Sequence, residues 1–387
     1  MILTKLRSRL GSHLRNIKGW SSKNKIVVFE SDDWGSIRMP SREVYKQLLR
    51  LGIRVDKLSY NRYDSLASEE DLLSLFEILV KYKDRNGRHP VFTANCVVAN
   101  PDFKKIKAAN YSEYFYEPFI ETLKRYPKHS KSFSLWKEGL SNGIFVPQYH
   151  GREHLNVPRW LKALQMNTGD VRLAFKMNMF DLSESGSVLN ENSFMDSLAY
   201  CDDDELKYIN NSIIEGAELF KILFGFTSRS FIAPCFIWDT HQETTLANCG
   251  VKYIQGGLYQ KCSIPGKINQ YKRIKHYTGE HNLLGQWYTV RNCFFEPSDW
   301  GKKNYLNSCL AQIDASFYWN KPAIISTHRL NYIGYIEPEN RIRNLSLLSD
   351  LLRSIIKKYP DVEFLSSSEL GSLIGERRDI SNELYVS

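Results

Sequence analysis

Three short stretches of this chain carry side chains that could do chemistry. Asp32 and Asp33 are adjacent, at the end of Ile26-Val27-Val28-Phe29-Glu30-Ser31 and just before Trp34-Gly35. His150 and His154 stand four apart in Gln148-Tyr149-His150-Gly151-Arg152-Glu153-His154, and His328 ends Ile325-Ser326-Thr327. Residues four apart on a helical turn face the same way, so His-x-x-x-His is a metal-ligand spacing. Two imidazoles with one carboxylate make a facial ligand set that leaves positions for water and substrate. Zinc is the expected divalent ion, with cobalt, nickel and iron also suited to the set. Such an ion lowers the pKa of its water and polarises a carbonyl. A second carboxylate can then take the water's proton, and a histidine on the far side can protonate the leaving amine or alcohol. The competing reading is that the aspartates cap a helix or open a turn.

The apolar run before the aspartates reads as a buried strand, and similar runs occur at 90–95, 143–147, 230–234, 251–254, 322–327 and 362–365. Helical patterns fall between them at 68–83, 111–142 (broken near Pro127), 158–165, 204–224, 240–249, 305–319 and 342–359. Ser366-x-x-Glu369 fits a capping box for a terminal helix. Strands alternating with helices predict parallel pairing with crossover helices, an α/β fold. The number of units suits a distorted or incomplete (β/α) barrel with large insertions, of which 168–203 reads as irregular. Chemistry in such a barrel lies at the C-terminal ends of the strands, where all three candidate stretches stand.

At 387 residues, 42% hydrophobic and 25% charged, the composition is that of an ordinary globular protein. The seven cysteines are odd in number and show no Cys-x-x-Cys pair, which predicts free thiols in a reducing compartment. No stretch reads as a membrane span or a secretory signal, so a cytoplasmic protein is expected. The net charge of +9 is concentrated at the start, where Lys5, Arg7, Arg9, Arg15, Lys18, Lys23 and Lys25 precede the first acid, leaving +2 for the remainder. That remainder argues against nucleic-acid binding, which needs a basic face on the folded domain. Leu3, Leu6, Leu10, Leu14 and Ile17 share one helical face in the basic segment. Packing of this stripe on the domain is the preferred reading, and peripheral membrane contact through residues 1–20 is the other. The chain thus divides into a basic amphipathic segment, 1–22, and a catalytic domain, 23–387.

The three stretches together resemble the motifs of the polysaccharide deacetylase family (carbohydrate esterase family 4, chitooligosaccharide-deacetylase-like). The family's Thr-Phe-Asp-Asp-Gly is similar to Glu30-Ser31-Asp32-Asp33-Trp34-Gly35, with the glycine displaced by one residue. Its His-(Ser/Thr)-x-x-His matches His150-Gly151-Arg152-Glu153-His154, and its Leu-x-x-His resembles Ile325-Ser326-Thr327-His328. The resemblance implies Asp32 as general base, Asp33, His150 and His154 as metal ligands, and His328 as general acid. In the family's Arg-x-Pro-(Tyr/Phe) motif, Ile232 stands here in place of the Arg and Cys235 in place of the aromatic residue. The Cys235 amide could still serve as an oxyanion donor. The missing Arg would have to come from elsewhere, such as Arg38, Arg152 or Arg329. Trp34, for which core packing is an equal reading, Arg152 and Arg329 are the further candidates for substrate contact, with groups in 291–296, Trp300, Asn331 and Tyr332 as weaker ones. His241, His276 and His281 read as surface or structural, and Asp239 as a helix cap.

The implied activity is metal-dependent removal of acetyl groups from an N- or O-acetylated sugar or glycan, in polysaccharide biosynthesis. A glycan-binding protein of the same fold with catalysis impaired is the alternative, and Ile232 is its main support. A glycosidase using Asp32 or Asp33 ranks last, because it leaves the histidines unexplained.

Overall fold

A computed structural model describes residues 10–182, 194–299 and 304–383. One parallel sheet holds β1 (Lys25–Trp34), β2 (Phe92–Cys96), β3 (Phe145–Tyr149), β4 (Ser230–Ile232), β5 (Tyr253–Gly256), β6 (Trp287–Val290), β7 (Cys293–Phe294), β8 (Ala323–His328) and β9 (Val362–Phe364). The order is β6-β5-β4-β3-β2-β1-β8-β7, with β9 beside the first residues of β1. The two ends of that order, β6 and β7, are consecutive in sequence and separated by Arg291 and Asn292 alone. Arg291 N–H donates to Gly256 O at 2.9 Å, at the end of β5, and Asn292 N–H donates to Ile324 O at 3.2 Å, in β8. Segment 287–294 therefore bonds along both ends of the sheet, an arrangement consistent with a distorted barrel. The α/β barrel expected from the sequence is what the chain forms.

The pleat of β1 sorts its side chains. Val27 and Phe29 face the outer layer, with Leu72, Leu75, Leu348 and Leu352 of the surrounding helices. Ile26 and Val28 face inward and pack with Ile324, Leu370 and Ile374, which plugs the end of the barrel where the strands begin. Glu30 and Asp32 continue the inward row toward the other end. The plug comes from the terminal helix Ser367–Glu383, whose capping box forms as predicted: Ser366 N–H donates to Glu369 Oε2 at 2.7 Å and Glu369 N–H to Ser366 Oγ at 3.3 Å. Gly371 lets this helix sit close, since a Cβ there would lie 2.3 Å from the Tyr253 ring.

Three regions differ from the sequence pattern. The helix expected over 111–142 is instead a strand, Tyr116–Pro118, paired with Ala99–Pro101, followed by helices Phe119–Arg125 and Ser132–Ser141. Pro118 and Pro127 lack the N–H that a continuous helix needs. The irregular stretch 168–203 contains a short helix, Val171–Lys176, while 183–193 lie outside the described residues. Residues 1–9 also lie outside them. In the described part of the N-terminal segment Leu10, Leu14 and Ile17 are exposed, so the preferred packing of that stripe on the domain is corrected here. Among the described residues no helix is long and apolar enough to cross a membrane, and all seven cysteines are free thiols.

Candidate active site

At the end of β1 the register against β2 shifts between Ser31 and Trp34, and Asp33 has a φ of 70°. In a regular strand adjacent side chains point to opposite faces, whereas a bulge re-aims one of them. Both Asp32 and Asp33 thereby line the same cleft. The chain then turns at Gly35 (φ 81°), where a Cβ would lie 2.4 Å from Val97 O, so only glycine fits. Trp34 is carried the other way. Its ring packs edge-on to Phe145 and Trp136 at 4.8 and 6.1 Å, and it is 1% exposed. Trp34 is thus core and cannot offer a face to a sugar.

Asp33, His150 and His154 converge, with one donor atom from each within 4.8 Å of the others. His150 Nε2 and His154 Nε2 lie 3.6 and 3.4 Å from Asp33 Oδ1, too far for strong hydrogen bonds. Two atoms each about 2.0–2.1 Å from a tetrahedral ion would be about 3.4 Å apart, which matches these spacings. His150 Nδ1 donates to Ile232 O at 2.8 Å, which leaves Nε2 with its lone pair free. That Nε2 is buried without a partner, as is Nδ1 of His154. Burial keeps His154 neutral, pushed down to about 3, against the pull of Asp33. A neutral His154 and the orphaned Nε2 of His150 beside an ionised Asp33 carboxylate fit a divalent metal.

Asp32 has the opposite surroundings. Arg291 donates from Nη1 to Oδ2 and from Nη2 to Oδ1, both at 2.6 Å, and Asn95 Nδ2 donates to Oδ1 at 2.8 Å. The same guanidinium reaches Glu30 through Nε at 2.7 Å, and Ser367 Oγ donates to the other Glu30 oxygen at 2.8 Å. Glu30 and Asp32 are two apart on one face of β1, which is why one planar fork can span both. Burial works to raise the Asp32 carboxyl, but the charge and hydrogen bonds of Arg291 outweigh it and hold the group below its ordinary value. Burial wins at Glu30, whose pKa is raised.

Across the cleft, β8 places His328 in register with Asp32, its Nε2 3.8 Å from Asp32 Oδ2. His328 Nδ1 donates to Glu296 Oε1 at 2.7 Å, and Asn331 Nδ2 fixes the other Glu296 oxygen at 2.7 Å. Burial alone would lower His328, but the Glu296 carboxylate, aided by Asp33 and Asp32, lifts it to about 10. The cleft of about 200 Å³ opens past Leu58, Tyr60, Met179, Phe180 and Phe236. Cys235 is at its wall in a left-handed conformation (φ 57°), with its thiol 3.5 Å from Met195 O. Arg38 lies over the Tyr60 ring at 5.5 Å, with Nη2 3.5 Å from Asp33 Oδ2.

None of the arginines named as substitutes for the missing one holds Asp32. Arg152 is tied to Glu153, Glu215 and the Tyr208 hydroxyl beside a separate pocket. Arg329 is fully buried on both oxygens of Asp64, at 3.0 and 2.9 Å, and on Ser36 O. Neither lines the cleft, so both are corrected as substrate contacts; each is neutralised by its own buried acid. Asn331 and Tyr332 are likewise buried, on Glu296 and on the Thr327 hydroxyl. Trp300 lies outside the described residues. Asp239 caps the helix Thr240–Asn248 as expected, in a capping box with Gln242. The residues that sequence reasoning missed in their roles are Arg291, Glu30, Asn95 and Glu296. Arg291 and Asn95 each end or follow an apolar run, the position that had singled out the aspartates.

Comparison of the sequence with protein-family models, and with curated proteins, finds no match. Several solved structures similar in fold are polysaccharide deacetylases. A putative polysaccharide deacetylase from Mycobacterium smegmatis is 11% identical, covering 93% of this chain and 94% of that one at a TM-score of 0.44. A probable polysaccharide deacetylase from Pseudomonas aeruginosa PAO1 is 10% identical, with 90% of each chain covered and a TM-score of 0.42. A 4-alpha-glucanotransferase from Thermococcus litoralis is 8% identical at a TM-score of 0.46; 91% of this chain is covered, which spans 40% of that one. At such identities and TM-scores these likenesses say nothing of this chain's chemistry.

Proposed function

We propose that this chain is a metal-dependent hydrolase that removes acetyl groups from an N- or O-acetylated sugar or glycan. The observation that carries the reading is the buried Asp33–His150–His154 donor set, in which His150 Nε2 has no hydrogen-bond partner, beside an Arg-clamped Asp32. Asp33, His150 and His154 would hold the ion; zinc suits two imidazoles and a carboxylate. When bound, it supplies Lewis acidity toward water and the acyl oxygen. Asp32, kept ionised by Arg291, takes the proton of the attacking water. His328, kept protonated by Glu296, delivers a proton to the leaving nitrogen or oxygen as the bond to the acyl carbon breaks. The Cys235 amide is the proposed donor to the developing oxyanion. Tyr60 and Phe236 offer ring faces to the sugar.

A binding protein without catalysis loses its main support, because Arg291 supplies the guanidinium that Ile232 cannot. A place in polysaccharide biosynthesis rests on the motif resemblance. The test is elemental analysis of the purified chain together with acetate release from acetylated sugars under added zinc. Asp32→Asn should retain metal and lose about 10²–10⁴-fold in turnover, the usual range for a general base. Full metal occupancy in the His150→Ala/His154→Ala variant would refute the ligand assignment.

A further inference from the structure

The N-terminal segment is anchored by its polar side chains and turns its apolar ones outward. His13 packs edge-on to Tyr318 and accepts from Trp319 Nε1 at 3.2 Å, and Arg15 lies over the Phe294 ring at 5.0 Å. Asn16 Oδ1 accepts from Asn292 Nδ2 at 2.8 Å, with Asn16 2% exposed. Leu10 and Leu14, on the helical turns of 10–15, and Ile17, in the bend that follows, are 59%, 58% and 49% exposed. Apolar side chains turned to water while polar ones face the protein are the reverse of what a segment folded only onto its own domain shows.

A second basic element meets this segment. The hairpin Tyr259–Ile264/Lys267–Lys275 carries Lys261, Lys267, Lys272, Arg273 and Lys275 and no acid. Lys18 and Lys275 lie over the same Tyr277 ring, at 5.5 and 5.2 Å, and Trp20 N–H donates to Thr278 O at 2.6 Å. Glu280, the carboxylate beside that ring, is bound to His276 Nδ1 and the Tyr277 N–H. Ile268 and Ile274 on the hairpin are exposed among its cations. Two acid-free basic segments thus meet at Tyr277 and Thr278, and five aliphatic side chains are exposed along them.

We propose that this surface docks on an anionic lipid bilayer. Exposed aliphatic side chains among cations match a headgroup boundary, which takes both, better than a soluble polyanion, which takes the cations alone. The anchoring contacts of 19–22 are to Thr278, Asn320 and Lys321, and the last two lead into β8 at the end of the barrel opposite the cleft.

The test is co-sedimentation of the full chain with vesicles of phosphatidylcholine alone and of equimolar phosphatidylcholine and phosphatidylglycerol. Pelleting with the anionic vesicles only, weakened by salt, is expected. Each exposed cation near an anionic surface is worth about fivefold in binding, so Lys272→Ala/Arg273→Ala/Lys275→Ala should bind roughly a hundredfold more weakly. Leu10→Ser/Leu14→Ser/Ile17→Ser should also lose binding, by removing the inserted stripe. Equal pelleting with both vesicles, none with either, or undiminished binding by both variants would overturn the proposal. So would retention by soluble dextran sulfate without vesicle binding. The readout needs no turnover, so it stands or falls apart from the hydrolase reading.

Discussion

Asp32 and Asp33 are neighbours in sequence, and each is 4% exposed, yet their surroundings differ in kind. Around Asp32 the oxygens are bound by Arg291 and Asn95, and the guanidinium is in turn shared with Glu30. Around Asp33 the nearest imidazole nitrogens stand off at 3.4 and 3.6 Å, and two ring nitrogens have no partner. Buried polar atoms in folded proteins are nearly always satisfied, because leaving one unmade costs about 1–3 kcal/mol. One half of the cleft is therefore complete as folded, and the other is stable in proportion to what fills it. The satisfied half is arranged to hold a fixed charge and the unsatisfied half to receive one.

The largest effect should come from breaking the satisfied half. Arg291→Leu leaves Glu30 and Asp32 buried together without their counter-charge. Removing one partner of a buried ion pair costs about 3–5 kcal/mol, and two carboxylates share this one. A lower denaturant midpoint and loss of acetate release are expected. Arg291→Lys should recover part of the stability but little turnover, because an ammonium cannot fork across both carboxylates. A leucine variant as stable as the parent would mean that the network is not what holds Asp32.

The unsatisfied half should respond to ligand instead. Adding zinc at about a hundredfold excess over its Kd should stabilise the chain by about 2.7 kcal/mol, read as a raised Tm. His150→Ala/His154→Ala should show no such rise. In metal-free protein the double variant should be closer to the parent than Arg291→Leu is, since the imidazole nitrogens it removes have few bonds to lose. An equal loss of stability in the two variants would erase the distinction between the halves.

How far the sequence disclosed this arrangement follows the same division. The metal half was legible because its ligands come in short local spacings at strand ends, Asp32-Asp33 and His150-x-x-x-His154. The satisfied half was not, because its partners are brought together by barrel closure: Arg291 is some 260 residues from Asp32 and meets it only because 287–294 bonds to both ends of the sheet. Strand and helix alternation gave the barrel, since periodicity is local. Trp34 stood open between a sugar and the core because alternation along β1 says nothing of the bulge at Asp33, which sends the indole into the core. Arg329 looked available for want of any local sign of Asp64, and Arg152 because standing next to Glu153 in the chain does not by itself show that the two side chains pair.

A smaller effect should follow at His328, which belongs to the satisfied half through Glu296. With its proton held to about 10, His328 is charged across the neutral range, and Asp32 is ionised down to below its ordinary value. Activity needs the first protonated and the second not, so the plateau is bounded by Asp32 on the acid side and His328 on the alkaline side. Glu296→Gln removes the largest of the charges that raise His328, leaving Asp33 and Asp32, and keeps the burial that lowers it. The alkaline limb of kcat/KM should move to lower pH, with the acid limb unmoved. An unchanged alkaline limb would detach His328 from the proton transfer.

The smallest effect is expected at Cys235, and it tests where the unsatisfied half ends. The thiol lines the cleft beside the donor set, and a thiolate there would be a fourth ligand or a nucleophile. Burial instead pushes it up to about 12, with Asp196 adding to the rise, so it is a neutral thiol at working pH. Its contact with Met195 O at 3.5 Å is that of a weak donor. Cys235→Ala keeps the backbone N–H proposed for the oxyanion and removes the sulfur alone. Metal content should be unchanged, kcat within about twofold, and stability within about 1 kcal/mol, as for substitutions that break no network. A loss of bound metal in this variant would enlarge the donor set beyond Asp33, His150 and His154 and make the sulfur part of it.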